Sequence, residues 1–266
     1  MSAFIQPGYK FFSPEFREND FNLYRLSIGL ALDGFSFLVQ NQKQDILVLY
    51  SAAFNDAVTW DDVIPGLENI FKQFPWLNQP MEKKLALMES PKFTLIPFSF
   101  YENKEKRKYL ELNHPLNEEE AIQNDMLKEF YSYVIYARDN KLQQMIRQNI
   151  SNLSWHHYVT DFVKCTAKYN ADKYIAADIR NSRVYISAFS DKRLMFCNEF
   201  RYNTKEDFVY YIVLAYRNLG YDPKTIPLKV TGLIDYDSEI ISLMKRYIAN
   251  IDFDDTAKIF FDTDHQ

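Results

Sequence analysis

Apolar and polar positions along the chain follow strand and helix spacings in successive blocks. Two β-rich runs, Leu23 to Leu32 and Phe35 to Val39, flank Asp33-Gly34, a dipeptide typical of tight turns between strands. The run Ile46 to Ala53 is continuously apolar, which predicts a strand buried on both faces. A helix is expected next, because Thr59 is a suitable N-cap and apolar residues then recur three or four apart.

The same order of elements returns later in the chain. The first series closes with a strand at Lys83 to Met88. The second series has predicted strands at Lys173 to Ile179, Arg183 to Phe189 and Leu194 to Arg201, a helix from the cap Thr204 to the C-cap Gly220, and a strand at Leu228 to Thr231. The pattern therefore predicts an α/β protein with duplicated βββαβ units, at 23–101 and at 173–232.

Further elements are predicted around these two units. They are strands at Phe93 to Tyr101, Tyr109 to Leu112, Tyr131 to Ala137, Ser154 to Val159 and Ile259 to Phe261, and helices at Asn117 to Phe130, Asn140 to Ile150, Asp161 to Tyr169 and from Asp237 or Ser238 to Ala249. We expect an N-terminal arm at 1–22, a first half at 23–170 with an inserted connection at 102–117, and a second half at 171–266.

Composition narrows the classes of function. The chain has 266 residues, of which 17% are aromatic, and we interpret these rings as core rather than as a surface for stacking bases. The net charge is −5, and the densest basic run, Lys104 to Lys108, is diluted by Glu102 and Glu105. Nothing in this charge pattern indicates nucleic acid.

Glycine is scarce, with only six residues in the chain. Loops that hold phosphates need glycine, because the backbone approaches the phosphate closely. Gly29 and Gly34 have the spacing of a P-loop, but Phe35-Ser36 stand where Lys-Ser/Thr is required, and GxGxxG is absent. The sequence therefore excludes P-loop and Rossmann nucleotide binding.

Cysteine use and hydropathy indicate a cytoplasmic protein. The two cysteines, Cys165 and Cys197, form no CxxC motif, and no apolar run approaches the length of a membrane span. Cys165 occupies an apolar helical position, which favours packing over nucleophilic chemistry.

Three other patterns are weighed against plain structural roles. His156-His157 would face opposite sides of a strand, so a shared metal is disfavoured. Asp235, Asp237 and Glu239 alternate like a calcium loop, but Ile240 stands where glycine is needed, which favours helix capping. The acidic residues from Asp252 to Asp264 are interpreted as a solvated tail.

The layout resembles the actin-like ATPase (ribonuclease H-like) fold, and locally the branch that contains PilM and FtsA. The matching runs are YVIYARD at 133–139, WHHYVTDFVKCTA at 155–167 and KYIAADIRNSRVYIS at 173–187. The phrases RLSIGLALDGFSF and KFTLIPFSFY also resemble a bacterial family, typical of Bacteroidetes, that is actin-like in fold and has no assigned function. The likeness covers residues 20–255 approximately.

The resemblance implies a nucleotide site built from three loops. The first phosphate loop of such proteins contains Asp-x-Gly. Aligning the hairpins puts Leu30 and Leu32 at its Asp and Gly positions. A shifted alignment puts Asp33-Gly34 there instead, without the intervening residue. The second is Asp178-Ile179-Arg180, followed by Asn181 and Ser182, with Arg replacing the glycine. The adenosine loop keeps one glycine, at Thr231-Gly232.

The missing glycines weaken phosphate binding, and the arginine side chain at position 180 also crowds the backbone that a phosphate would approach. We expect a non-catalytic binding or scaffold protein with a degenerate nucleotide site, no required cofactor, and a protein partner or self-association. The alternative is an ATP-binding ATPase or phosphotransferase using Mg²⁺, with Asp178, or second Asp33, as its acidic residue.

Overall fold

A computed structural model describes residues 4–180, 182–232 and 237–253. The strands are β1 Phe4–Phe12, β2 Arg25–Ala31, β3 Gly34–Gln40, β4 Ile46–Asn55, β5 Lys83–Met88, β6 Phe93–Pro97, β7 Glu120–Leu127, β8 Ser132–Asp139, β9 Ser154–His157, β10 Lys173–Ile179, β11 Arg183–Ser190, β12 Arg193–Arg201, β13 Leu228–Gly232 and β14 Ile251–Phe253. The α-helices are α1 Trp60–Gln73, α2 Lys106–Glu111, α3 Asn140–Asn149, α4 Tyr158–Thr166, α5 Lys205–Leu219 and α6 Glu239–Met244.

The contacts divide the chain into two compact units. The first comprises residues 1–126 and 133–158, and the second comprises 127–132 and 159–266. The expected second half begins at residue 171. In the structure the second unit already includes α4 from Val159 onward, and also residues 127–132.

The first unit holds a six-stranded sheet in the order β1-β4-β3-β2-β5-β9. The meander β2-β3-β4 is antiparallel, and β5 and β9 add in parallel. Helices α1 and α3 contribute to one apolar core with this sheet, which includes Phe37, Leu67 and Ile146. The expected N-terminal arm contributes β1, which pairs antiparallel with β4.

The second unit repeats this arrangement with a five-stranded sheet in the order β12-β11-β10-β13-β14. The orders β4-β3-β2-β5-β9 and β12-β11-β10-β13-β14 are the same, so the duplication extends one helix and one strand beyond the predicted βββαβ unit. Helix α5 packs on one face of this sheet through Phe208 and Ile212. On α4, Phe162 lies 6.2 Å from the Tyr185 ring of β11.

Burial corrects one prediction about the strands. Strand β4 alternates, with Tyr50 and Phe54 buried and Leu49 half-buried, so it is not buried on both faces. The strand that is buried along its whole length is β11. The near alternation of its sequence did not predict this. Helix α4 contacts Tyr185 and Ser187 of β11, and Ile186 and Ala188 share a core with α5.

The connection between the predicted units contains the largest errors. The expected strand at Tyr109 to Leu112 lies in and just beyond α2, and the expected helix from Asn117 to Phe130 is β7. Acidic residues after Asn117 looked like a capped first turn. Instead, Glu120 accepts hydrogen bonds from the Asn117 backbone N–H at 2.9 Å and the Lys92 ammonium at 2.7 Å. Pairing in the sheet β6-β8-β7 overrides helix propensity.

Smaller differences concern element ends. Helix α3 is capped by Asp139 rather than Asn140, α4 begins at Tyr158 rather than Asp161, and α6 ends at Met244 rather than Ala249. Strand β14 was not predicted, and the expected strand at Ile259 to Phe261 lies outside the described residues.

Matched capping boxes begin α1 and α5, at equivalent places in the two units. The Asp62 carboxylate accepts from the Thr59 backbone N–H at 2.9 Å, and the Asp207 carboxylate accepts from the Thr204 N–H at 3.1 Å. The backbone N–H of Asn203, then the backbone N–H and the hydroxyl of Thr204, lower the pKa of Asp207 below its ordinary value. Donated hydrogen bonds favour the charged form of a carboxyl group.

We expect Asp207→Asn to change the acid branch of the stability profile. Because the folded pKa of Asp207 is depressed, its contribution to stability is present above the unfolded pKa, about 3.9, and is lost as pH falls through the folded pKa. The advantage of wild type over the variant should therefore shrink below about pH 4. Urea denaturation between pH 3 and 7 measures it, with Glu206→Gln in the same turn as control. An advantage that is constant with pH would contradict this assignment.

Candidate functional site

The candidate site lies at the carboxyl end of β10 in the second unit. Asp178 stands opposite Thr231 of the parallel strand β13, and Ile179 stands opposite Gly232. Because residues two apart on a strand share a face, the side chain of Arg180 is on the same side as that of Asp178. The fold therefore brings together Asp178, Arg180 and Thr231.

The Asp178 carboxylate is fully buried and is held from two sides. Its Oδ2 accepts from the Arg180 Nε–H at 2.6 Å, and its Oδ1 accepts from the Thr231 hydroxyl at 2.9 Å. Asp178 is 0% exposed and Arg180 is 8% exposed. The guanidinium thus neutralises the carboxylate within the protein, in a geometry that gives short, strong hydrogen bonds.

The hairpin that follows β10 is fastened by its backbone. The Arg180 N–H donates to the Arg183 carbonyl at 2.8 Å, and the Tyr202 N–H donates to the Ser182 carbonyl at 3.0 Å. The Tyr202 hydroxyl donates to the Arg180 carbonyl. Ser182 is exposed, and Asn181 lies outside the described residues.

Sequence reasoning missed Tyr202, although a signal for it exists. The antiparallel register pairs Arg183 of β11 with Arg201 of β12. Tyr202 is therefore the first residue beyond the paired strands, on the side where the hairpin loop begins. Counting the register outward from the turn at residues 191–192, with the one-residue shift after Ala188, places Tyr202 next to the hairpin loop that begins after Arg180.

Gly232 has a packing reason to be glycine. Its φ is +103°, and a Cβ there would lie 2.2 Å from the Ile179 carbonyl oxygen. Real side chains do not fit at such a distance, so β10 and β13 can approach each other only at a glycine. This close approach accounts for the residue without any bound phosphate.

The first unit carries the other predicted residues, Asp33 and Gly34. Leu32 and Asp33 form the loop between β2 and β3, and Gly34 is the first residue of β3. The Asp33 carbonyl accepts from the Phe54 N–H at 3.0 Å. A Cβ on Gly34 would lie 3.1 Å from the Ala52 carbonyl oxygen, so this glycine too serves a close backbone approach.

Comparison of the two hairpins shifts the predicted register by one residue. Ala31 pairs with Gly34, and Arg180 bonds to Arg183, so both loops contain two residues. Counting back from the loops, Gly29 rather than Leu30 corresponds to Asp178. The first hairpin therefore has no carboxylate at the position that Asp178 occupies in the second.

The histidines and acidic residues that the sequence also singled out take part in ordinary packing, hydrogen bonding and helix capping where the structure describes them. His157 is buried, with its Nε2 2.9 Å from the Ser90 carbonyl oxygen, and His156 is half-buried. The Ser238 hydroxyl caps α6, whereas Asp235 lies outside the described residues. The Tyr169 hydroxyl donates to Asp252.

The described residues contain neither a metal-binding cluster nor a membrane-spanning helix. No group of three or more His, Cys, Asp or Glu side chains in the described ranges is placed to hold a metal ion. Among the described helices, none has the length and apolar character needed to cross a membrane.

Similar solved structures define the class of protein. A Bacteroides thetaiotaomicron protein with actin-like ATPase fold and unknown function aligns with a TM-score of 0.81 at 20% identity, covering 90% of this chain and 93% of that one. A chain of the PilM–PilN type IV pilus biogenesis complex aligns with a TM-score of 0.55 at 10% identity, covering 88% and 89%. The ethanolamine utilization protein EutJ of Carboxydothermus hydrogenoformans aligns at 0.53 and 9% identity, covering 90% and 87%. The chain therefore has the actin-like ATPase fold.

Sequence comparison gives the family. The chain belongs to the protein family of unknown function DUF3822, whose model matches residues 13–251. No curated protein matches the sequence.

Proposed function

We propose that this protein is a non-catalytic, actin-like binding or scaffold protein of the cytoplasm, with a degenerate nucleotide site. One observation carries the proposal: the Arg180 guanidinium forms an ion pair with the buried carboxylate of Asp178. In an actin-like ATPase an acidic residue at this place would have to face Mg²⁺ or the attacking nucleophile. Here the negative charge of Asp178 is neutralised by Arg180 inside the protein.

Two further features support the same conclusion. Gly232 is explained by its contact with the Ile179 backbone, and Gly34 by its approach to Ala52, so neither glycine needs a phosphate to account for it. The first hairpin has Gly29 where the second has Asp178. A site with one neutralised carboxylate and no second one at the matching position is a poor clamp for a metal–nucleotide complex.

We expect Mg-ATP to leave the melting temperature of the protein unchanged. A ligand that binds the folded state raises its stability in proportion to the logarithm of its concentration over Kd. Differential scanning fluorimetry at millimolar Mg-ATP, with MgCl₂ alone as control, measures this. A rise of several degrees would overturn the proposal and favour the ATPase or phosphotransferase alternative, and Asp178→Ala should then abolish the rise.

The binding role implies a protein partner or a second copy of the chain. A structural relative takes part in the PilM–PilN complex, and its likeness to this chain motivates the same kind of role here. Affinity purification of the tagged chain from its own cells, with light scattering of the purified protein, tests it. A chain recovered alone and monomeric at micromolar concentration would contradict this role, whatever the result with Mg-ATP.

A further inference from the structure

A buried arginine in the first unit lacks an acceptor. Arg138, near the end of β8, is 5% exposed, and its Nε–H is fully enclosed. Its side chain makes no hydrogen bond or ion pair with any residue in the described ranges. Proteins almost always pair a buried guanidinium, because an uncompensated buried charge is strongly destabilising.

A second unpaired donor lies beside it. The indole N–H of Trp155, on β9, is also buried and meets no acceptor among the described residues. The Arg138 Cζ lies 5.0 Å from the centroid of the Trp155 ring. This cation–π contact uses the ring face and leaves the enclosed Nε–H of Arg138 and the indole N–H of Trp155 without acceptors among the described residues. Two neighbouring buried donors without acceptors are unusual and require an explanation.

The charges nearby do not supply the missing acceptor. Burial lowers the pKa of Arg138, the positive charge of Arg147 lowers it further, and Tyr136 and Asp125 act in the opposite direction. Asp125 forms no ion pair with Arg138, and its oxygens accept from the His157 backbone N–H at 2.6 Å and the Tyr136 hydroxyl at 3.3 Å. Asp125, the carboxylate whose charge acts on Arg138 among the described residues, is thus engaged by other groups.

A polar groove begins two residues beyond Arg138, along α3. Its volume is about 350 Å³, and it is lined by Asn140, Gln143, Gln144, Arg147 and Gln148. Amide groups and a second guanidinium are donors suited to an anionic ligand. The positive charge of Arg147 in this groove acts on Arg138, although Arg138 and Trp155 do not themselves line the groove.

We propose that Arg138 and Trp155 bind an oxyanion, a carboxylate or a phosphate, whose oxygens accept from the guanidinium and the indole N–H. The site lies in the first unit and does not depend on the proposed function of the Asp178 region. It pairs a charge that would otherwise be buried alone, so binding should stabilise the folded chain.

Thermal melting of the full chain tests the proposal. We expect sodium phosphate or sodium succinate to raise the melting temperature by about 3 °C or more over sodium chloride at equal ionic strength. The more effective anion identifies the oxyanion as phosphate or carboxylate. Arg138→Leu should lose this response and remain at least as stable as wild type without ligand, because it removes an uncompensated charge. Arg217→Leu, at an exposed arginine of α5, should keep the response.

A second measurement uses the wild-type chain. The three tryptophan indole N–H signals can be followed by ¹H–¹⁵N NMR during titration with the effective anion. The Trp155 signal, assigned from Trp155→Phe or by elimination from Trp60→Phe and Trp76→Phe, should move most. An unmoved Trp155 signal, a response equal to that in chloride, or a response retained in Arg138→Leu would overturn the proposal in favour of a buried water molecule.

Discussion

Arg180→Met is expected to lower the free energy of unfolding by about 3–5 kcal/mol. The substitution keeps most of the side-chain volume but leaves the fully buried Asp178 carboxylate without its counter-charge. The Thr231 hydroxyl still donates to the carboxylate but carries no positive charge. Urea denaturation at pH 7, followed by circular dichroism, gives the difference.

A surface ion pair of the same length provides the control. Lys205 Nζ and Glu239 Oε2 are 2.6 Å apart, as are Arg180 Nε and Asp178 Oδ2, but their side chains are 41% and 83% exposed. Lys205→Met should therefore change stability little, because solvent screens the exposed pair. The double variant Asp178→Asn/Arg180→Met should recover most of the loss. Equal effects of Arg180→Met and Lys205→Met would contradict the structural role of the buried pair.

Gly232→Ala is expected to destabilise the chain by about 3 kcal/mol or more. The added methyl group would lie 2.2 Å from the Ile179 carbonyl oxygen and 2.4 Å from its nitrogen. Either β13 must move away from β10 or the backbone must leave φ +103°. Both changes disturb the parallel pairing of Asp178 with Thr231. Chemical denaturation of the purified variant measures the loss.

Gly220→Ala separates backbone strain from steric overlap. Gly220 ends α5 with φ +65°, and a Cβ there would have no heavy atom within 4 Å. This substitution should cost only about 1–2 kcal/mol, the price of the left-handed conformation. If Gly232→Ala were no worse than Gly220→Ala, the close approach of the two strands would not be the reason for Gly232.

The duplicated fold could be predicted because its evidence is local. Turn residues separate the strands of both meanders, and Thr59 and Thr204 each form the capping box that begins a helix. The segment 102–130 could not be predicted, because its residues are polar and suit several conformations. Residues 120–127 form a strand because they pair with β8, and local helix or strand propensity does not reveal that pairing.

The candidate site was predictable in part for a related reason. Asp178 and Arg180 are two residues apart on one strand, so their shared face follows from the sequence alone. The partnership with Thr231 depends on the parallel register of β10 and β13, which are separated by three elements. Arg138 and Trp155 meet although β8 and β9 belong to different sheets, a relation that no sequence motif records.

Strand β1 has a consequence for how the first unit meets other chains. It pairs with β4 and is the outermost strand on that side of the six-stranded sheet among the described strands. Its pairing shifts register between Pro7 and Lys10, where the Tyr9 N–H donates to the Ser51 hydroxyl at 3.0 Å. Such an irregular edge, with a proline that has no N–H to donate, is a poor template for a foreign strand. This edge of the six-stranded sheet is thereby poorly suited to aggregation by edge-to-edge strand addition.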